Sequence, residues 1–200
     1  MLYDYYRELA LSLTARLHPH KVLDIGCNDG SLVKAFLSQH CIAYGCDKSQ
    51  EALSKALPDI VSSLICVDVT RDALPFEDEE FDLVTMVDVI EHFPRFDRAL
   101  SEVRRVLKNG GYVYVSTPSP LSSVFSACRD PTHVNVHGKR FWIRLFKEND
   151  FKLRGELPKA DRLIALSFIG SSRLHNLALR IYGIRGLPNI RSDLFFEKDR

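Results

Sequence analysis

Nowhere does this chain carry the roughly 18 to 20 consecutive apolar residues that a membrane-spanning helix requires. Its first residues lack the basic start, apolar run and small-residue cleavage site of a secretory signal, so a cytoplasmic protein is expected. Net charge is nearly absent too. The 27 Lys and Arg against 26 Asp and Glu leave +1, which calls for no nucleic-acid polyanion as a general partner. Cysteine is sparse and odd in number. Of the five (Cys27, Cys41, Cys46, Cys66 and Cys128), three fall in or at the ends of expected buried strands. That suits small core residues in a reducing compartment and not a disulfide framework. Internal repeats and low-complexity tracts are also missing.

What is present is an alternation of strands and helices. Leu2, Tyr6, Leu9, Leu13 and Leu17 recur at helical spacing and predict an opening amphipathic helix. Strands are expected at 21–25, 42–46, 61–66, 82–88, 111–116 and 151–156. Helices are expected at 31–39, from Ser49 to a stop at Pro58, at 96–107 with a stop at Asn109-Gly110, and at 138–149. Strands apolar on both faces and separated by helices imply a parallel sheet covered on both sides. Two hundred residues fit one such α/β domain with a full core. Residues 119–136 are irregular. Ligands bind beyond the carboxyl ends of strands in open α/β sheets, so this connection is expected to overhang a reaction site.

The first strand and its turn read Lys-Val-Leu-Asp-Ile-Gly-Cys-Asn-Asp-Gly, with Asp24 before glycines at 26 and 30. A second acid, Asp47, ends the next strand, where it can accept hydrogen bonds from both hydroxyls of a ribose. Glycines in the turn let backbone approach a ligand closely. Together these features describe a pocket for an adenosine nucleoside. A dinucleotide fits badly: G-x-G-x-x-G would need glycines where Asn28 and Ser31 stand, and Asp24 would repel a phosphate. A phosphate-binding P-loop is excluded because no Gly-Lys-Ser/Thr follows.

Five segments in order carry a resemblance to a known family. They are Val22 to Gly30, Asp47, Cys66-Val67-Asp68-Val69, Asp88-Val89-Ile90-Glu91-His92 (after Leu74-Pro75-Phe76 and Phe81-Asp82-Leu83-Val84), and Leu107-Lys108-Asn109-Gly110-Gly111. Over residues 20–157 the chain resembles the class I S-adenosylmethionine-dependent methyltransferases, in their small-molecule and ubiquinone-type branch, with Asn28 in place of the more usual middle glycine. The resemblance implies a Rossmann-like, doubly wound α/β sheet of seven strands. That sheet is mostly parallel, with an antiparallel last strand at 192–197 between the fifth and sixth. It divides a single domain (1–200) into an N-terminal helix (1–19), a core (20–157), an insertion (158–190) and a closing segment (191–200). It also implies S-adenosyl-L-methionine as cofactor, held by Asp24, Gly26, Cys27, Asn28, Gly30, Asp47, Lys48, Asp68, Val69 and Asp88.

A methyl acceptor oxygen usually needs a base, and His92 or His133 is the natural choice, with Glu91 beside them. His137 is read as structural. Asp88, Glu91 and His92 are spaced i, i+3, i+4, so a helical turn would bring them to one side and His133 could complete a divalent site. The similar enzymes have a glutamate where Asp88 stands, and no metal is expected. The expectation is methyl transfer, in the form of O-methylation, to a small-molecule or lipid-linked acceptor. The alternatives are a metal-assisted RNA-ribose 2′-O-methyltransferase, for which a Lys/Arg-rich tract with interleaved aromatics is missing in the catalytic half, and a non-catalytic cofactor-binding module. The 158–190 insertion mixes Leu163, Ile164, Leu166, Phe168, Ile169 and Leu174 with Arg162, Arg173, Arg180 and Arg185. It reads either as a helical lid over the acceptor or as a basic amphipathic surface in peripheral contact with an anionic membrane.

Overall fold

The computed structural model describes residues 2–120, 130–156 and 191–198. The elements follow as α1 (Leu2–Leu17), β1 (Lys21–Ile25), α2 (Ser31–Leu37), β2 (Ile42–Asp47), α3 (Gln50–Leu53), β3 (Leu64–Cys66), β4 (Phe81–Val87), α4 (Asp97–Val106), β5 (Leu107–Pro118), α5 (Lys139–Glu148), β6 (Phe151–Glu156) and β7 (Arg191–Lys198). They build one seven-stranded sheet in the order β3-β2-β1-β4-β5-β7-β6. The strands from β3 across to β5 pair in parallel, and β7 runs antiparallel to both β5 and β6. The α/β architecture is as the sequence predicts, and the inserted last strand is as the resemblance implies.

Alternation along the central strands explains the two layers. On β4, Val84 and Met86 face Leu100, Val103 and Trp142, while Leu83 and Val87 face Leu13, Val33 and Phe36 on the opposite side. On β5, Val113 and Val115 join the first cluster and Tyr114 the second. Both faces are therefore covered, which is why these strands read as continuous apolar runs. The order reverses direction between β1 and β4, leaving a crevice at their carboxyl ends where ligands collect in such sheets.

Three boundaries differ from the sequence expectation, each for a local reason. The helix after Ser49 stops at Leu53 and not at Pro58: the Ser49 side chain accepts from Ala52 N–H as expected, but Lys55 and Ala56 then donate to Ala52 and Leu53 three residues back, tightening the chain out of α geometry. The expected strand at 61–66 opens as a 3₁₀ turn (Val61–Ser63) and becomes a strand only at Leu64. The 96–107 helix ends at Val106 and is not capped by Asn109-Gly110. Leu107 is already extended, wholly buried and paired with Phe81. Asn109 and Gly110 instead occupy the irregularity between the Phe81–Leu107 and Leu83–Tyr112 pairs, where Gly110 has φ 77°. The insertion at 158–190, with both roles expected of it, and residues 121–129 of the long connection lie outside the described residues.

Candidate active site

The turn after β1 is a backbone device. Gly26 has φ 76°, and a Cβ there would lie 2.3 Å from Val89 Cγ2, so a side chain is excluded by both conformation and space. The N–H groups of Gly26 and Cys27 both donate to the Cys46 carbonyl, at 2.8 and 3.0 Å, tying the turn to β2. Asn28 takes the left-handed conformation (φ 51°) that glycine fills elsewhere, one of the few residues able to do so. Its N–H donates to Asp47 Oδ2 at 3.0 Å, while Ser49 N–H donates to Oδ1 at 2.8 Å. Asp47 is thus a clamp between two loops as well as an acid at a strand end. Asp29 accepts from Ser31 N–H at 3.0 Å, and Gly30 opens α2 with φ 77° and no side-chain cap.

Asp24 is buried (4% exposed) and accepts from Thr85 Oγ1 at 2.7 Å across the β1–β4 pair. Burial is the largest influence on it. With the charge of Asp47, burial outweighs the Thr85 hydrogen bond and pushes the carboxyl up to about 7. Asp68 moves the other way. Its partial desolvation is overcome by the Thr70 hydroxyl and N–H and by the Lys48 and Arg71 charges, which hold it below the usual carboxylate range. Cys27 is buried with its thiol raised by desolvation, so it packs and does not react.

A cavity of about 440 Å³ lies beyond the strand ends, within the size range of small-molecule sites. Of the sequence-predicted residues, Gly26, Asn28, Asp47, Lys48, Asp68, Val69, Asp88 and His92 line it. Asp24, Cys27, Gly30, Glu91 and His133 do not line it.

At the other end, β4 leaves the sheet through Asp88 (φ 51°), whose N–H donates to the Ser116 carbonyl at 2.9 Å, and continues as a 3₁₀ turn (Ile90–His92). Glu91 is fully buried. Its Oε2 accepts from Thr117 Oγ1 at 2.9 Å, and its carbonyl accepts from Val134 and Asn135 N–H, which pins the 130–137 connection beside the turn. His133 Nε2 approaches Glu91 Oε1 to 4.0 Å, and its ring meets that of His92 edge-on with centroids 4.7 Å apart. Burial, then the neighbouring His133, lower the His92 pKa from its ordinary value, against the opposing pull of Thr132 and Asp130.

The structure corrects the metal geometry inferred from spacing. Asp88, in its left-handed conformation before a 3₁₀ turn, does not share a helical face with Glu91 and His92. Among the described residues, ligand atoms of Glu91, His92 and His133 lie within 4.8 Å of one another, a three-residue group without Asp88. Two contributors escaped the sequence. Thr132 lines the cavity and bonds to His92 Nδ1, although only its Asp-Pro turn context was legible. Tyr6 of α1 stands among Asp24, Asp88 and Asp29, whose charges add to burial in raising its phenol; helical spacing marked it only as a core residue.

Residues 23–115 match the family model described as "Methyltransferase domain". The chain is 33% identical over 144 residues to the uncharacterized methyltransferase YcgJ of Bacillus subtilis, covering 65% of this chain and 56% of that protein. It is 34% identical over 107 residues to the ubiquinone biosynthesis O-methyltransferase of Thiobacillus denitrificans, covering 52% of this chain and 46% of that one. It thus spans about half the length of these relatives. The fold is similar to that of an S-adenosylmethionine-dependent methyltransferase from Archaeoglobus fulgidus, with a TM-score of 0.65 at 20% identity over 96% of this chain and 94% of that one.

Proposed function

We propose that this chain, which belongs to the class I S-adenosylmethionine-dependent methyltransferase family, transfers a methyl group to an oxygen of a small-molecule or lipid-linked acceptor. The observation that carries the proposal is the placement of His92 on the wall of the same cavity that Asp47, Asp68 and the Gly26 turn line. The residues fit the cofactor. Asp47 has two lone-pair sites taken by Asn28 and Ser49 N–H and two left for ribose hydroxyls. Val67, Val69, Val89 and Phe93 supply apolar wall, and Asp88 on that wall, with Asp24 buried and not lining it, suits a ligand that carries positive charge.

When bound, S-adenosylmethionine supplies an electrophilic methyl group on a sulfonium. The chain's own work is then to align an acceptor and take its proton. His92, neutral near pH 7 because its pKa is lowered, is placed to accept that proton, with His133 packed against it. Buried Glu91 holds the connection that carries His133. Support for oxygen as acceptor comes from this base and from the name of the Thiobacillus relative. The apolar and basic composition of 158–190 supports a lipid-linked one.

The test is calorimetry with S-adenosylmethionine, its demethylated product and NAD, followed by transfer of labelled methyl to phenols, catechols, amines and a vesicle-borne phenol. Binding of the first two ligands and labelling of oxygen acceptors are expected. Preference for NAD sinks the family reading, and labelling of amines alone sinks O-methylation. A second reading is favoured by one observation: the clustered ligand atoms of Glu91, His92 and His133 could hold a divalent metal, as in metal-assisted transfer to an RNA ribose hydroxyl. Activity lost to a chelator and restored by magnesium selects that reading.

A further inference from the structure

His92 Nδ1 has two neighbours, both from Thr132: the backbone carbonyl at 3.2 Å and the side-chain Oγ1 at 2.9 Å. The carbonyl oxygen can only accept. The hydroxyl has one proton, and it already points elsewhere: Oγ1 lies 2.6 Å from Asp130 Oδ1, which also accepts from Thr132 N–H at 2.8 Å. A carboxylate cannot donate, so at 2.6 Å the shared proton is the hydroxyl's. Both groups facing Nδ1 therefore act as acceptors. An unprotonated Nδ1 would set lone pair against lone pair at two contacts together, whereas an N–H there satisfies both. The proton of neutral His92 belongs on Nδ1, and Nε2 carries the lone pair.

We infer that Thr132 and Asp130 are positioning residues that hold His92 in the Nδ1–H tautomer through the relay His92 Nδ1–H to Thr132 Oγ1–H to Asp130, so that Nε2 is its proton-accepting nitrogen. This goes beyond the methyl-transfer proposal by assigning the atom, and its catalytic consequence rests on that proposal; the tautomer itself does not. The relay spans 40 residues of sequence and joins the 3₁₀ turn after β4 to the connection after β5. The bond from the other nitrogen sets which one is available for chemistry. Among the described residues His133 Nε2 has no comparable pair of acceptor-only partners, since it stands 4.0 and 3.9 Å from the Glu91 and Asp130 carboxylates, beyond hydrogen-bond length.

The test is two-dimensional ¹H–¹⁵N correlation of the histidine rings in the full chain, labelled at histidine and held at alkaline pH, with the His92 signals assigned by their absence in His92→Gln. In the wild type the His92 pattern should be that of Nδ1–H with an unprotonated Nε2. Thr132→Ser, which keeps the hydroxyl, should preserve it. Thr132→Val, which leaves only the backbone carbonyl facing Nδ1, should raise the share of the Nε2–H form that free histidine favours, while the amide spectrum reports an intact fold. Where methyl transfer is measured, Thr132→Val should lower kcat by on the order of tenfold or more with the cofactor KM unchanged, and Thr132→Ser should rescue it. A wild-type His92 in the Nε2–H form, or a pattern identical in wild type and Thr132→Val, overturns the inference. Neither spectrum depends on an acceptor being found, so a failed methyl-transfer assay leaves this result standing or falling by itself.

Discussion

The two ends of the cavity are built by different means. At the β1–β2 end, position is enforced mostly by the main chain: Gly26 and Cys27 N–H on one carbonyl, Asn28 and Gly30 in left-handed conformations, and two loop N–H groups gathered on the one Asp47 carboxylate. At the histidine end, side chains reach across sequence, Thr132 to His92, Thr117 to Glu91 and the Asn135 amide group to the Phe93 carbonyl, and only the Val134 and Asn135 backbone N–H bonds to the Glu91 carbonyl are main-chain ties. A backbone cradle serves a ligand part that never changes, such as a nucleoside. A side-chain assembly can be retuned by single substitutions, which suits the part of a site that must match an acceptor.

The largest expected effect tests the side-chain end. His92→Ala, and separately His133→Ala, should lower turnover by about 10² to 10⁴ while cofactor affinity stays nearly unchanged, because most of the residues proposed to hold the cofactor sit on other elements. Single-turnover rates and calorimetry on the same preparations separate the two. A parallel loss of cofactor affinity would erase the division of labour drawn above, and full turnover in both variants would exclude histidine as the base.

A smaller effect tests the backbone end through its buried acid. Asp24 in the folded state is raised to about 7 from an ordinary 3.8. Between those values the folded state binds more protons than the unfolded one, so this group's contribution is fully present at acid pH and falls as pH rises toward 7. At about 1.4 kcal/mol per pH unit, the ligand-free protein should lose a few kcal/mol over that window from this group. Asp24→Asn cannot ionise and still offers Thr85 an acceptor oxygen, so its stability relative to wild type should be greater at pH 8 than at pH 5. Denaturant melts at both pH values decide it. An unchanged slope would move the titration to another residue. The same substitution should weaken binding of a cationic ligand, so the residue's stability cost and its function would have one source.

The same contrast explains what was legible in the sequence. Glycine at φ 76°, an acid at the end of each of two strands, and apolar runs buried on both faces are local properties, so a parallel sheet covered on both sides and a pocket at its first turn could be written from residue types and spacing, while the place of the last strand came from the family resemblance. The histidine side depends on which distant groups meet. Asp88, Glu91 and His92 looked like one helical face because spacing assumes α geometry, and a left-handed residue before a 3₁₀ turn removed that assumption. Thr132 read as part of a turn, since a hydroxyl's partner 40 residues away leaves no periodic trace. The Leu107 boundary failed for a related reason: cross-strand pairing with Phe81 overrode a good helix stop at Asn109-Gly110.

The smallest expected effect concerns Asp47, where the comparison can be sharpened within one residue. Its carboxylate both clamps the two loops and is assigned to the ribose. Asp47→Asn removes the charge and turns one acceptor atom into a donor, which would face the N–H of Asn28 or Ser49 and leave it without its partner. Loss of charge-assisted bonds to both ribose hydroxyls should weaken S-adenosylmethionine binding by about 1.5 to 3 kcal/mol, roughly 10- to 150-fold. The orphaned loop amide should cost about 1 kcal/mol or more of stability in the ligand-free protein. Calorimetry with S-adenosylmethionine and with adenosine alone tests the first quantity, because the ribose contribution must appear in both ligands by a similar factor. Equal affinity of wild type and variant for adenosine would confine Asp47 to the clamp and remove the ribose assignment. A loss seen with S-adenosylmethionine but not with adenosine would place the residue's effect on the charged part of the ligand instead.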